Sequence, residues 1–242
     1  MTFPIPLDED HHVHSSFSDD AVSSVAQNVE TACRRGLQVL CLADHVRQDS
    51  AWVPDYLSAV EALRPVPGLE VLAGVEAKIL DQAGHLDLPA GAAWADRVLI
   101  ADHQFPGERG PVHPGEVRAA ISAGQVTAEE VISGLIEATS GALEMAARPQ
   151  LAHLFSILPK MGLAESRVPD QAIGYLARQA RATGARLEVN EKWACPSART
   201  VSAFAEAGVP LVASTDSHDC RDIGVYRSVR QLAGCSSPGQ RP

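Results

Sequence analysis

The stretch Asp10-His11-His12-Val13-His14, followed within a few residues by Asp19-Asp20, holds the densest group of metal-binding side chains in the chain. Imidazoles at i and i+2 cannot share a helix face. On a strand, where side chains alternate with period two, His12 and His14 point to one side and His11 to the other. Histidine and carboxylate donors without thiolates suit zinc, manganese or iron. The same residue types return along the chain, each time closing a short apolar run: His45, Glu76, His103, His153, and Asp216 with His218. Taken singly, each has a structural explanation. His153 reads equally as a hydrogen-bonded core histidine, and Glu76 or Asp216 as a helix cap. The shared placement is what those explanations leave out.

The runs that position these residues number seven, at 8–14, 38–45, 69–76, 97–103, 149–153, 185–190 and 210–218. They are rich in Val, Leu and Ile and nearly continuous, as expected of strands buried on both faces of a parallel sheet. Helical patterns separate most of them. Residues 23–35 end at Gly36, a plausible C-cap, and Pro54 opens 54–63. Thr127 is a candidate N-cap for a helix running towards Ala147, and 169–183 and 197–207 each end at a glycine. Strand followed by helix, seven times over, predicts parallel α/β architecture, as a barrel or a doubly wound sheet. In a barrel the C-terminal strand ends meet on one face, so ligands scattered over the sequence would become one cluster. Two long irregular loops are expected at 81–89 and 106–114, carrying His85 and His113.

Composition narrows the function classes. The chain of 242 residues is long enough for a single α/β barrel, and we assign 1–234 to one domain and 235–242 to a tail. A net charge of −10 argues against a long nucleic acid as partner, because that binding rests on clustered Lys and Arg. Five cysteines without a C-x-x-C pair suit reduced thiols in the cytoplasm. Neither a signal peptide nor an apolar run of transmembrane length is evident, so no membrane association is expected.

The D-x-H-x-H of Asp10, His12 and His14, the Asp44-His45 pair, Glu76, His103, His153 and the closing Asp216-Ser217-His218 together resemble the PHP (polymerase and histidinol phosphatase) family of metal-dependent phosphoesterases. The resemblance spans residues 10–224. It implies a distorted (β/α)7 TIM-like barrel and a trinuclear site for divalent zinc, manganese or iron. By analogy His12, His14, Glu76 and Asp216 would hold one ion. Glu76 would bridge to a second on His103 and His153, and His45, His218 and Asp20 would take a third, with Asp19 as the alternative to Asp20. Asp44 would orient its neighbouring imidazole. The implied chemistry is attack of a metal-bridging hydroxide on a small-molecule phosphomonoester such as histidinol phosphate or a sugar or nucleoside phosphate, with Asp20, His45, Glu76 and Asp216 at the catalytic centre.

Lys192, Lys160, Arg109 and His85 are candidate substrate contacts; Asp20, Asp44 or His85 could assist the leaving group. The chain departs from the family in having His153-Leu154 where His-Pro is frequent, and Asp102 directly before His103. No polymerase segment is appended, which points away from a proofreading module. Phosphodiester hydrolysis is the nearest rival. An amidohydrolase, whose barrel has eight strands, or a metal-dependent binding protein on a disused barrel are more distant ones.

Overall fold

The computed structural model describes residues 2–234, so the tail assigned at 235–242 lies outside the described residues. Each of the seven apolar runs forms a strand: β1 (Glu9–Val13), β2 (Val39–Val46), β3 (Glu70–Lys78), β4 (Arg97–Ala101), then, after a short hairpin of β5 (Phe105–Gly107) and β6 (Gly110–Val112), β7 (Pro149–Leu151), β8 (Arg186–Asn190) and β9 (Leu211–Ser214). The main sheet runs β1-β2-β3-β4-β7-β8-β9, with every neighbouring pair parallel. It is a distorted barrel, nearly closed. Across the remaining seam there is one parallel bridge, Val13 to Ser217, with His14 N donating to Ser217 O at 2.8 Å. Buried Asp10 clasps the seam by accepting from Thr215 N (2.9 Å), Thr215 Oγ1 (2.6 Å) and Gly224 N (2.9 Å).

Among the described residues seven α-helices surround the sheet: α1 (Val25–Arg35), α2 (Val53–Glu61), α3 (Pro114–Ser122), α4 (Ala128–Met145), α5 (Asp170–Ala182), α6 (Ala198–Glu206) and α7 (Ser228–Ala233). Gly36 closes α1 in the left-handed conformation that the absence of a Cβ permits. Thr127 caps α4 in a reciprocal box with Glu130. Two expectations need correction. The strand–helix alternation fails between β3 and β4, where the connection holds only a 3-10 turn, Ala90–Trp94. The loop expected at 106–114 is largely the β5–β6 hairpin leading into α3, which Pro114 opens as the first helical residue. Among the described residues no helix is long and apolar enough to cross a membrane.

Apolar packing lies mostly outside the barrel. One cluster joins Leu40, Leu42 and Val75 to Val29 of α1 and Tyr56 of α2, and another joins Ile100, Leu151 and Leu187 to Leu135, Leu176 and Phe204. Inside, the side chains are small: Cys41, Ala43, Ala101 and Ala152 pack with Leu99. Gly74 completes this lining, since a Cβ there would meet Cys41 Sγ and Leu42 O at 2.9 Å. Three of these positions lie two residues before strand-end ligand candidates, Ala43 before His45, Gly74 before Glu76 and Ala101 before His103. Period-two alternation therefore stacks the larger polar groups on a floor of small ones. The space for the site is made by what lies beneath it.

Candidate metal centre

Glu76 sits at the centre, almost wholly buried, opposite His45 in the β2–β3 register. Its Oε2 lies 2.7 Å from His45 Nδ1, 3.5 Å from His12 Nε2 and 3.6 Å from His14 Nε2. Its Oε1 lies 2.9 Å from His153 Nε2 and 3.1 Å from His103 Nε2. On the β9 side, Asp216 Oδ1 is 3.3 Å from His14 Nε2. At the open edge, Asp20 Oδ2 is 3.1 Å from His218 Nε2 and 3.5 Å from His45 Nε2. All nine side chains named as ligand candidates thus meet at one end of the barrel. Among the described residues, three triads have donor atoms within 4.8 Å of one another: His12, His14 and Asp216; His45, Glu76 and His103; His14, His45 and His218.

This donor set fits divalent ions. His12 Nε2 and His14 Nε2 face each other at 3.0 Å, a gap that can hold one proton or the two lone pairs a cation would use. Glu76 Oε2 is buried without a properly aligned donor despite the imidazoles around it. Backbone strain gathers at the same place, with Asp216 at φ +52° and His153 at φ +31°, conformations that persist only where surroundings enforce them.

The electrostatics follow from burying imidazoles among carboxylates. Burial pushes the His14 pKa down to about 3, against the pull of Asp216. Burial acts likewise on His153 but is outweighed by Asp102 and Glu76, which carry it up to about 10. For His12, burial is outweighed by Glu188, Glu76 and Asp216, and the pKa rises. Glu76 and Asp216 are held ionised, because the surrounding imidazoles overcome the cost of burial. Ligation requires neutral imidazoles, so metal uptake here must release protons.

A second layer sets which nitrogens face inward. Glu188 of β8, fully buried, receives His12 Nδ1 at 3.0 Å, Gln150 Nε2 at 3.1 Å, His153 N at 3.2 Å and Asn190 Nδ2 at 2.7 Å. Asp102 lies 3.3 Å from His153 Nδ1 and accepts from Ser156 Oγ at 2.7 Å. Asp44 plays a different part from the one expected. It accepts from the backbone and hydroxyls of Ser15 and Ser18, and Ser18 Oγ in turn lies 3.3 Å from His14 Nδ1. The imidazole it orients is His14, through a serine, and the adjacent His45 is not. His11 pairs with Glu9 at 2.7 Å, away from the cluster. Glu188, Ser18 and Trp193, whose indole reaches Asp216, escaped the sequence reading. A charged residue inside the apolar run Leu187-Glu188-Val189 was the only available signal.

Asp20 borders two of the openings that flank the cluster. The larger, about 590 Å³, is lined by Asp216, His218, Lys192, Asp222 and Arg227; the smaller, about 300 Å³, by His45, His103, Arg47 and Lys78. Lys192 Nζ stands 3.3 Å from Asp216 Oδ1 and 3.2 Å from His218 Nδ1. Lys160 Nζ lies over the Trp193 ring, 4.2 Å from its centroid. Arg109 is exposed at the β5–β6 tip, and exposed His85 turns to Asp81 at 2.9 Å on its own loop. Neither lines an opening to the cluster.

A family model described as PHP domain matches residues 10–158. A stretch of 94 residues is 37% identical to a protein of Thermoanaerobacter sp. (strain X514) named probable phosphatase, covering 38% of each chain. Another probable phosphatase, from Aliivibrio fischeri (strain ATCC 700601 / ES114), is 30% identical over 107 residues, 39% of this chain and 40% of that one. The matched stretch therefore spans about two fifths of the length of these curated relatives. Over 93% of this chain, and 92% of the other, the fold superposes with a TM-score of 0.69 on the crystal structure of histidinol phosphate phosphatase from Lactococcus lactis subsp. lactis Il1403, complexed with zinc, L-histidinol and phosphate. Sequence identity in that pairing is 18%, so the likeness is one of fold.

Proposed function

The chain belongs to the PHP domain family, and from that footing we propose that it is a metal-dependent phosphatase hydrolysing a small-molecule phosphomonoester. The observation that carries this reading is the convergence of six imidazoles and two further carboxylates around Glu76, beside openings that contain Lys192 and Lys78. Three divalent ions of the zinc, manganese or iron type are the proposed cofactors. His12, His14, Glu76 and Asp216 would hold one, Glu76 with His103 and His153 a second, and His45, His218 and Asp20 a third. The separations of Glu76 from His103 and His153, of His14 from Asp216 and of Asp20 from His218 support this grouping, whereas the triads of His45, Glu76 and His103 and of His14, His45 and His218 cut across it. Ions held there would bind phosphoryl oxygens and make a bound water nucleophilic near neutral pH.

The chain's own residues supply the rest. Lys192 places a cation at the mouth of the larger opening, where it can meet a phosphoryl oxygen. Asp20, half exposed and bordering both openings, is held below the ordinary carboxylate range, since His45, His218 and His14 outweigh its partial burial. Its place between His218 and His45 suits it to be a ligand and proton acceptor rather than an acid. Asp44 is engaged by Ser15 and Ser18 and His85 by Asp81, so neither is placed to protonate a leaving group. The larger opening has room for a leaving group of metabolite size. Histidinol phosphate or a sugar or nucleoside phosphate belongs to the proposed substrate class.

A panel of small monoesters beside bis-p-nitrophenyl phosphate tests the reading on metal-loaded protein. Monoester turnover, lost by more than about 100-fold in His12→Ala, is the expected result, a larger effect than removal of an outer partner gives. Turnover of the diester alone would replace it with the phosphodiesterase reading. Full activity in His12→Ala would refute the metal mechanism.

A further inference from the structure

Trp193 stands on the turn after β8 and is 41% exposed, an unusual position for a residue with so large an apolar side chain. Its backbone N donates to Asn190 Oδ1 at 2.8 Å, and Asn190 Nδ2 donates to Glu188 Oε1 at 2.7 Å. Asn190 N to Cys195 O (2.8 Å) and Glu191 N to Ser214 O (2.9 Å) tie the turn to itself and to β9. The indole is therefore held at a fixed place against the cluster. From there its Nε1–H donates to Asp216 Oδ2 at 2.9 Å.

The two oxygens of Asp216 are thereby given different tasks. Oδ1 faces the cluster, 3.3 Å from His14 Nε2 and 3.6 Å from His218 Nδ1. Lys192 Nζ competes for that same oxygen at 3.3 Å. A carboxylate on a short side chain can rotate, and Asp216 also sits on a strained backbone that needs outside support. An indole N–H can only donate. It pins Oδ2 and leaves Oδ1 directed at His14.

We propose that Trp193 is a positioning residue for the metal centre, fixing through its indole N–H which oxygen of Asp216 is presented for ligation. The proposal rests on the metal reading above and not on the identity of the substrate. Trp193 belongs to neither the ligand set nor the set of substrate contacts expected from the sequence, and it acts through Asp216.

The experiment uses the full chain stripped of metal and titrated with Zn²⁺ alone against a chromogenic chelator, with elemental analysis for stoichiometry. Trp193→Phe keeps an aromatic ring beneath Lys160 and removes only the donor, whereas Trp193→Ala removes both. If the N–H is what matters, both variants lose zinc affinity at one site by about 10–100-fold, the usual scale for a lost outer partner. Their metal-free unfolding midpoints should stay with the parent. Parent-like zinc binding by Trp193→Phe overturns the proposal, whether or not Trp193→Ala is weakened, because ring packing would then be the cause. A fall in the metal-free midpoint of Trp193→Phe alongside the lost affinity overturns it too, as a general loosening. A parent that takes up no zinc refutes the metal reading and the proposal together. Zinc uptake without phosphatase activity in the parent would count against the phosphatase reading alone.

Discussion

Glu188→Gln changes one atom of a buried carboxylate, and the structure says what should follow. Oε1 receives His153 N (3.2 Å) and Asn190 Nδ2 (2.7 Å), while Oε2 receives His12 Nδ1 (3.0 Å) and Gln150 Nε2 (3.1 Å). Either orientation of the new amide sets its NH₂ against at least two donors, since His12 Nδ1 also lies 3.2 Å from Oε1. With nitrogen at the Oε1 position, the clash includes a backbone N–H that cannot turn and an Asn190 amide already fixed by Trp193 N. With nitrogen at the Oε2 position, Gln150 has to flip to accept from it, which gives up the Gln150 Nε2 bond to His11 O at 3.0 Å. With an N–H at the nearer position, 3.0 Å away against 3.2 Å to Oε1, His12 is favoured to accept at Nδ1 and carry its proton on Nε2, the atom that faces His14 and Glu76. Both arrangements leave buried polar groups badly paired, and the second also changes the His12 nitrogen that faces the cluster. We expect a stability loss of about 1–3 kcal/mol, the scale of one buried polar group left badly paired. Zinc affinity should fall by about 10–100-fold, equivalent to roughly 1.4–2.7 kcal/mol. Urea unfolding of the metal-free chain measures the first and chelator competition the second. Zinc binding within about twofold of the parent would show that the carboxylate does not set the His12 tautomer.

Other consequences are open to measurement. Because ligands distributed over the whole barrel bind metal only when it is folded, added Zn²⁺ or Mn²⁺ should raise the unfolding temperature and a chelator should reverse this, the gain growing with free ion as RT ln(1 + [L]/Kd); equal midpoints with and without metal would contradict a folded-state site. Asp96 is held below its ordinary pKa, since the Ala73 N–H and Arg64 outweigh its partial burial. A depressed carboxylate stabilises above the unfolded value near pH 4 and loses that contribution as pH falls through the folded one. The stability difference between parent and Asp96→Asn should therefore shrink on acidification below about pH 4, and a difference independent of pH would speak against the pairing. Burial pushes the Cys41 thiol up to about 12, whereas Cys33 is exposed. Thiol labelling of the native chain followed by peptide mapping should modify Cys33 and spare Cys41 until unfolding. Equal labelling of the two would mean that the barrel interior opens readily.

The seven strands were legible because a strand buried on both faces must be a continuous apolar run, and a parallel sheet must separate such runs in sequence. Apart from Asp20, which only the family resemblance pointed to, the candidate ligands were legible because each closes a run, where parallel strands bring them to one rim. Even the caps at Gly36 and Thr127 are local matters of backbone geometry. The helix at Pro114–Ser122 was missed because its apolar pattern is short and weak beside the glycines and prolines preceding it. What lay beyond the sequence were pairings across the barrel. His12 meets Glu188 at a separation of 176 residues, Asp10 meets Thr215 at 205, and Trp193 reaches Asp216 across 23. Spacing along a strand states which side a residue faces. Which oxygen meets which nitrogen depends on register, on the irregularity between Asp10 and Val13, and on how the seam between β9 and β1 is drawn together. Residue type and period alone pointed to the rim and to its candidate donors other than Asp20. The order of the donors around Glu76, and the groups that aim them, were decided by barrel closure, because only closure brings β1 alongside β9 and within reach of β8.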